Sequence, residues 1–201
     1  HKSWKKHMLK LARKTNPNRA LDIATGTADI AINLGSISDC IVTGVDISEK
    51  MLSVGREKII QNNLTKSVIL ETGDAENLRF DDNYFDLITI GFGVRNFQDL
   101  KRGLNESFRV LKPKGTLIIL ETSVPQNIII RFFYSLFTRT YIPLMARLFS
   151  KDLTAYNYLL NSAEVFPCGE NFRNILKSVG FNDVKIRPKF FGSSTIYIAS
   201  K

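Results

Sequence analysis

The sequence predicts an α/β protein with a mostly parallel seven-stranded sheet, helices on both faces and a helical insertion after the fifth strand. Five short runs are nearly continuous in Ile, Val and Leu, which is typical of strands buried on both faces. Helix-forming stretches separate these runs, and such alternation implies right-handed crossovers in a parallel sheet. The last third departs from the alternation, because an aromatic segment, a helix and two further β-like runs follow.

The predicted strands are apolar runs bounded by polar or small residues. Five precede the aromatic segment and two follow it, at residues 20–24, 41–46, 67–71, 85–90, 116–120, 184–187 and 195–199. Before the fifth run, Val110–Gly115 indicates a helix stop and a turn. We expect Gly115 to take a backbone angle there that other residues resist.

The predicted helices start and stop at recognisable residues. Ser48 is typical of the N-cap of a helix, which we expect to continue to residue 62. Residues 98–111 repeat apolar side chains at helical spacing, and a helix over 170–179 is closed by Gly180. Residues 4–11 intersperse lysines with apolar side chains, which indicates an amphipathic helix.

Composition and charge limit the class of protein. A chain of 201 residues with 44% hydrophobic and 23% charged residues is a folded protein with the length of one domain, not a disordered tail or a disulfide-stapled miniprotein. The net charge is +9, from 28 Lys and Arg against 19 Asp and Glu. The surplus lies in residues 1–20 and 126–151, which contain no acidic residue, and the remainder is close to neutral.

The two cysteines and the N-terminal residues indicate the cellular compartment in which the protein works. Cys40 and Cys168 lie far apart with neither a CxxC spacing nor a His neighbour, which argues against a zinc site and suits a reducing, cytoplasmic location. The basic start lacks the apolar run of a signal peptide, and because residue 1 is His1, we expect the natural chain to begin earlier. Arginines interrupt residues 128–149, the best candidate for a membrane span.

A tight turn of small residues follows the first predicted strand, from Asp22 through Gly26 and Thr27 to Ala28. Such a turn lets a ligand approach the backbone, and the next helix offers N–H groups. By itself the pattern also fits an ordinary β–α turn, because Gly26 is the only glycine where a dinucleotide fingerprint has three. Asp46 ends the second strand 20 residues after Gly26, where a carboxylate accepts hydrogen bonds from both ribose hydroxyls.

A polar loop after the third predicted strand contains Asp74 and Ala75. An Asp at this place accepts a hydrogen bond from an adenine amino group, while the next backbone N–H serves a ring nitrogen. The alternative is that Asp74 only caps its own loop. Both interpretations remain open on the residues alone.

In this order and spacing, the motifs resemble the class I S-adenosylmethionine-dependent methyltransferases, and NAD fits less well because glycines are missing. The segments GFGVRN (91–96) and GDAEN (73–77) narrow the resemblance to the ubiquinone/menaquinone biosynthesis C-methyltransferase family, over essentially the whole chain. The opening HKSWK is similar to that family's His-Arg-x-Trp-Arg element. Two departures are Ala28, where the family usually has Gly, and the Tyr-Asp-x-x-Asn element, which the family carries upstream of residue 1.

The resemblance implies a single Rossmann-like domain over 1–201, with S-adenosyl-L-methionine as cofactor, S-adenosyl-L-homocysteine as product and no metal. The cofactor contacts carried over lie at the carboxyl ends of strands: Asp22, Gly26, Thr27, Asp46, Asp74, Ala75 and Gly91. We expect the methyl in Ala28 to stand where the backbone approaches the methionine part of the cofactor.

For the acceptor, the resemblance implies a prenylated quinol and places Arg95 and Asn96 where its ring meets the methyl group. Arginine is always charged and is a poor base, but Arg95 can stabilise a quinolate or hold a water that takes the phenolic proton. A solvated loop arginine is the alternative. Tyr156 and Tyr158 are candidates for stacking on the ring or donating to it, with core packing as the alternative.

Residues 126–162 are predicted to form the helical insertion. Over 126–151 this segment contains six aromatic residues and arginines at 131, 139 and 147. One interpretation is a lid that receives the prenyl tail and rests on an anionic membrane at the inner face of the cytoplasmic membrane. The other is a helical subdomain with solvated arginines. The basic residues 1–20 likewise suit a membrane surface, a nucleic acid or a solvated helix.

The implied reaction is C-methylation of demethylmenaquinol to menaquinol, or of a ubiquinone precursor, and the IATGTADIAI form of the turn favours menaquinone. Three alternatives stay open: another small-molecule acceptor, a non-catalytic subunit of a quinone-synthesis assembly, and a basic RNA-binding protein. A near-neutral body without an aromatic RNA-binding signature argues against the last, and we expect no nucleic-acid partner. The oligomeric state is open, a homodimer included.

Overall fold

The computed structural model describes residues 2–37, 39–125, 128–136, 162 and 165–201. Within these residues the strands are β1 (Arg19–Ile23), β2 (Ile41–Asp46), β3 (Val68–Thr72), β4 (Phe85–Gly91), β5 (Leu111–Thr122), β6 (Asn182–Lys189) and β7 (Ser194–Ser200). They form one sheet in the order β3-β2-β1-β4-β5-β7-β6. The strands β1 to β5 pair in parallel, whereas β7 is antiparallel to both β5 and β6. The predicted mostly parallel, seven-stranded sheet is confirmed.

Helices cover both faces of this sheet. They are α1 (Lys2–Arg13), α2 (Asp29–Gly35), α3 (Glu49–Gln61), α4 (Leu100–Val110), α5 (Ile128–Leu136) and α6 (Glu170–Val179), with short 3-10 turns at Val94–Asn96 and Phe190–Gly192. One core cluster joins the sheet to α4 and α6, and a second joins it to α1, α2 and Ile59 of α3. The layers therefore match a doubly wound α/β protein.

Capping residues explain where the helices begin and end. The Ser48 hydroxyl accepts a hydrogen bond from the Met51 N–H, as predicted for the N-cap of α3. Helix α4 starts two residues later than expected, because the Asp99 carboxylate caps it by accepting from the Arg102 N–H. At the end of α6, Gly180 takes a φ of 118°, which a side chain would resist. The amphipathic prediction for α1 is also confirmed, since Met8 is fully buried.

The turn predicted before the fifth strand is wrong in one respect. Lys114, not Gly115, takes the left-handed angle, with a φ of 66°. Strand β5 starts directly after α4, and its residues 112–115 bulge out, because Leu111 pairs with Phe85 and Thr116 with Leu87. Glycine fits at 115 for lack of space, since a Cβ there would lie 2.7 Å from Leu111 Cδ1.

The predicted insertion over 126–162 is described through α5 and Ser162 only, and Tyr156 and Tyr158 lie outside the described residues. Within the part of the chain that the structure covers, no helix is long and apolar enough to cross a membrane.

Candidate active site

The turn after β1 is built from left-handed backbone. Ala24, Gly26 and Ala28 have φ angles of 54°, 56° and 62°. Ala28 is fully buried, and a Cβ placed on Gly55 of α3 would lie 3.1 Å from the Ala28 Cβ. The expectation for Ala28 is therefore corrected: its methyl group packs into the core under α3 and does not face a ligand at the turn.

Asp22 ties this turn to the neighbouring strand β4. Its carboxylate is buried and accepts hydrogen bonds of 2.6 Å from the hydroxyls of Thr25 and Thr89. Burial raises the pKa of Asp22 to about 6, and the two hydroxyl donors act in the opposite direction. Asp22 is thus placed to shape the turn from beneath.

The Asp46 carboxylate lies at the centre of the edge formed by β1 and β2. Its two oxygens accept from the Gly26 N–H at 2.8 Å and from the Ser48 N–H at 2.9 Å. The structure therefore brings Asp46 and Gly26, two of the residues predicted to contact the cofactor, into direct contact. The next residue, Ile47, exposes 77% of its surface, and no sequence argument singled it out. In the sequence, the signal that could have identified Ile47 is an apolar residue directly after the acid that ends a strand.

A charged cluster fixes the start of α2. Lys58 donates to the Thr27 hydroxyl and to the Asp29 carboxylate, both at 2.8 Å. Lys5 of α1 donates to the other Asp29 oxygen at 2.9 Å. The Thr27 side chain is accordingly positioned by α3, and α1 is fastened beside the turn.

Asp74 and Ala75 lie in the loop after β3. The exposed Asp74 accepts from the Glu76 N–H at 2.9 Å, so it caps its own loop, while Ala75 packs partly against the core. Glu76 in turn accepts from the N–H groups of Gln98 and Asp99 at 2.6 and 3.0 Å. These bonds join the loop to the beginning of α4.

An ion pair holds Arg95 at the end of β4. The guanidinium of Arg95 donates to the Phe92 carbonyl at 3.0 Å and pairs with the Glu121 carboxylate. The exposed fractions of the two side chains are 9% and 0%. Arg95 Nε is also buried and has no hydrogen-bond partner among the described residues. The interpretation of Arg95 as a solvated loop residue is therefore wrong.

Glu121 is a site residue that the sequence reasoning missed. It sits near the end of β5 and also accepts from the N–H and hydroxyl of Thr122. The available signal was an acid closing an apolar run, the same signal that identified Asp46. Asn96 follows Arg95 in the 3-10 turn, is exposed, and donates its N–H to the Gly93 carbonyl at 3.0 Å.

The sequence-predicted residues that the structure describes share one edge of the sheet, around the carboxyl ends of β1, β2, β3 and β4, with Glu121 of β5 beside them, whereas Tyr156 and Tyr158 lie outside the described residues. Strand order reverses between β1 and β4, which is where open α/β sheets bind ligands. Gly91 ends β4 beneath this edge, and a Cβ there would lie 2.3 Å from Ile30 Cδ1. No group of three His, Cys, Asp or Glu residues in the described ranges could hold a metal ion.

The fold is that of the class I S-adenosylmethionine-dependent methyltransferases. A methyltransferase of this type from Aquifex aeolicus superposes with a TM-score of 0.65 and 18% identity, covering 90% of this chain and 80% of its own. Phosphoethanolamine N-methyltransferase 2 of Haemonchus contortus, solved with S-adenosyl-L-methionine, gives a TM-score of 0.68 at 18% identity and covers 91% of this chain and 48% of its own. At these identities the likeness shows the fold.

The chain belongs to the ubiE/COQ5 methyltransferase family, whose model matches residues 1–201. It is 39% identical to the demethylmenaquinone methyltransferase of Bacteroides fragilis over 201 residues, which are 100% of this chain and 82% of the relative. The Chlorobaculum tepidum enzyme of the same name is 39% identical over 98% of this chain and 81% of its own. The ubiquinone/menaquinone biosynthesis C-methyltransferase of Geobacter sulfurreducens is 38% identical, covering 98% and 78%.

Proposed function

We propose that this protein transfers a methyl group from S-adenosyl-L-methionine to a ring carbon of demethylmenaquinol, producing menaquinol. The observation that carries the proposal is the 39% identity to demethylmenaquinone methyltransferases over essentially the whole chain. The fold alone would not name the acceptor. The buried Arg95–Glu121 pair at the ligand-binding edge supports a chemical role for this family segment.

We assign cofactor binding to the edge around Asp46. Its carboxylate is held by two backbone amides at the turn, which directs it to where ribose hydroxyls would be met. Exposed Ile47 would offer an apolar surface to the adenine ring, and Asp74 and Ala75 would contact the same ring. When bound, S-adenosyl-L-methionine supplies a methyl group activated by a positive sulfonium.

The methionine end of the cofactor is assigned to the turn after β1. Gly26 and Thr27 present backbone there, and the left-handed φ of 56° at Gly26 suits a residue without a side chain. Asp22 positions this turn through Thr25, and Gly91 closes the site at the end of β4. These residues fit the cofactor because they combine close backbone approach with a half-buried carboxylate.

Arg95 is proposed to act on the acceptor oxygen. Carbon methylation needs an electron-rich ring, and a fixed positive charge beside the hydroxyl favours the quinolate. Glu121 holds the guanidinium in place, and the buried Nε is a donor available to a quinol oxygen or to a water that takes the phenolic proton. Asn96, Tyr156 and Tyr158 are proposed to contact the acceptor ring.

We further propose that the protein works in the cytoplasm at the inner face of the membrane. A prenylated quinol resides in the bilayer, and an enzyme that acts on its ring would meet it at the membrane surface. The predicted lid over 126–162 would then receive the tail while its arginines face anionic lipid.

A mass-spectrometric assay tests the proposed reaction. The protein is incubated with S-adenosyl-L-methionine and a chemically reduced, short-tailed demethylmenaquinol in detergent. We expect a product heavier by one methylene, with S-adenosyl-L-homocysteine released in equal amount. Cofactor binding without product, for the present chain and for one extended upstream of residue 1, would reject this acceptor in favour of another small molecule. Absence of cofactor binding would favour a non-catalytic subunit.

A further inference from the structure

Two adjacent phenylalanines after β6 expose most of their surface. The exposed fractions of Phe190 and Phe191 are 69% and 74%. Both have positive φ angles, 44° and 57°, in the left-handed region that bulky side chains avoid. Strained backbone that holds apolar rings outward is not explained by core packing, and exposed apolar clusters mark interaction surfaces.

This aromatic tip, Phe190–Phe191, is fastened to the active-site edge. Ser123 donates its N–H to the Ser193 carbonyl at 3.1 Å and its hydroxyl to the Gly192 carbonyl at 2.7 Å. Because Ser123 follows β5, the tip lies close to Glu121 and to the Arg95 that Glu121 holds.

A track of aromatic rings connects the tip to Arg95. The ring centroids of Phe190 and Trp4 lie 6.2 Å apart, and those of Trp4 and Phe92 lie 6.4 Å apart. Phe92 follows Gly91, and its carbonyl accepts from Arg95. Ring contacts therefore run from Phe190 through Trp4 to Phe92, the residue whose carbonyl accepts from Arg95.

Basic side chains gather beside the same tip, around His7 of α1. Burial is the main cause that lowers the pKa of His7, and four cations lower it further: Lys189, Arg187, Lys10 and Lys14. His7 Nε2 is buried and without a hydrogen-bond partner in the described part of the chain. His7, Lys10, Lys14 and Lys189 line a groove of about 1300 Å³ that also includes Trp4. Asp29 is the one acidic residue among the described residues of this lining, and it already pairs with Lys5 and Lys58.

We propose that the aromatic tip and this basic groove together dock the protein on an anionic lipid bilayer. The two rings enter the interfacial region, and the cations of the groove face headgroup phosphates. Charge and apolarity jointly favour this partner. An RNA would engage the cations but leave the rings in water, and a second copy would bring like charges together. The proposal rests on the proposed function in one respect, since the aromatic track would lead a prenylated acceptor to Arg95.

Vesicle flotation tests the docking surface. The wild-type chain is mixed with vesicles of phosphatidylcholine alone or with phosphatidylglycerol, and we expect it to float only with the anionic ones. The double variant Phe190→Ser/Phe191→Ser and the double variant Arg187→Glu/Lys189→Glu should each bind anionic vesicles about tenfold more weakly or worse. Matched controls are Ile60→Ser and Lys66→Glu, which change exposed residues elsewhere and should bind within about twofold of wild type.

Two further measurements separate docking from misfolding and from the reaction. Calorimetric affinity for S-adenosyl-L-methionine should be unchanged in both double variants, and so should methylation of a short-tailed quinol in detergent. If docking depends on the phenylalanines while neither the wild-type chain nor a chain extended upstream of residue 1 methylates the quinol, the docking proposal stands and the proposed function is rejected. Wild-type protein that ignores anionic vesicles, vesicle binding equal in all variants, or a dimer or RNA complex that the phenylalanine variant abolishes would overturn the docking proposal.

Discussion

Replacing Glu121 with Gln tests whether a buried ion pair holds the Arg95 guanidinium for chemistry. The substitution keeps the shape of the side chain and one oxygen for the Thr122 N–H. It removes the negative charge that faces Arg95, whose exposed fraction is 9%. The guanidinium is then left as a nearly buried charge without its counter-ion.

The expected cost follows from burial. Breaking a buried ion pair by removing one partner costs about 3–5 kcal/mol, because the remaining charge stays desolvated. Gln still accepts hydrogen bonds, so we expect a loss in the free energy of unfolding near the lower end, about 3 kcal/mol. The pair between Glu170 and Arg173 is the control, since its side chains are 64% and 33% exposed. Glu170→Gln should cost under about 1 kcal/mol.

Urea unfolding measures the loss in the free energy of unfolding, and the quinol assay measures the loss in turnover number. Calorimetric affinity for S-adenosyl-L-methionine should change less than about twofold in Glu121→Gln, because only the acceptor side of the site is disturbed. The turnover number should fall by at least about tenfold, and Glu121→Asp should recover part of it by restoring the charge. An unfolding free energy like that of Glu170→Gln, or unchanged turnover, would refute the role of this pair.

Three other variants test the rest of the site and fold. Asp46→Ala should weaken cofactor binding by about 2 kcal/mol, and unchanged affinity in calorimetry would reject the ribose assignment. Because the pKa of Asp22 is raised to about 6, the folded state binds this proton more tightly than the unfolded chain and loses stability as pH rises toward that value. Asp22→Asn should remove this slope, giving a relative gain of up to about 3 kcal/mol between pH 4 and 7.5, and parallel stability curves for both proteins would contradict it. Gly180→Ala should cost about 1 kcal/mol or more in urea unfolding, since φ is 118° and a Cβ would lie 2.9 Å from Phe108 Cζ; no loss would argue against that constraint.

The sheet was predictable because its strands are buried on both faces. A continuous apolar run such as Ile41–Asp46 indicates a buried strand and is bounded by residues of different character. The observed β2 accordingly has the predicted bounds. The error at Gly115 arose because the motif shows a turn but not its pairing. The pairing of Leu111 with Phe85 depends on β4, which is distant in sequence. Local propensity does not specify the register between two such strands.

The site residues that lie at the carboxyl ends of strands were predictable, because open α/β sheets bind ligands there. Asp46 and Gly26 were both predicted to lie at the carboxyl ends of strands, and a hydrogen bond of 2.8 Å joins them. The partner of Arg95 was not predictable, because Glu121 lies 26 residues further along and only the parallel pairing of β4 with β5 brings the two together.

Burial separates two kinds of acidic residue at this edge of the sheet. Asp22 and Glu121 are buried within or near the ends of strands, and each is occupied by hydroxyl or guanidinium donors that it positions. Asp46 is half-buried and accepts from the backbone N–H groups of Gly26 and Ser48, whereas Asp74 is exposed and accepts from the Glu76 N–H of its own loop. A carboxylate fixed by backbone and open to solvent can exchange water for ligand hydroxyls at little cost, whereas a buried one already has its partners. Asp46 and Asp74 are therefore the acids whose substitution should change cofactor affinity most. Substitution of the buried Asp22 or Glu121 should instead change the stability of the protein and the alignment of the hydroxyl and guanidinium groups that these two acids hold.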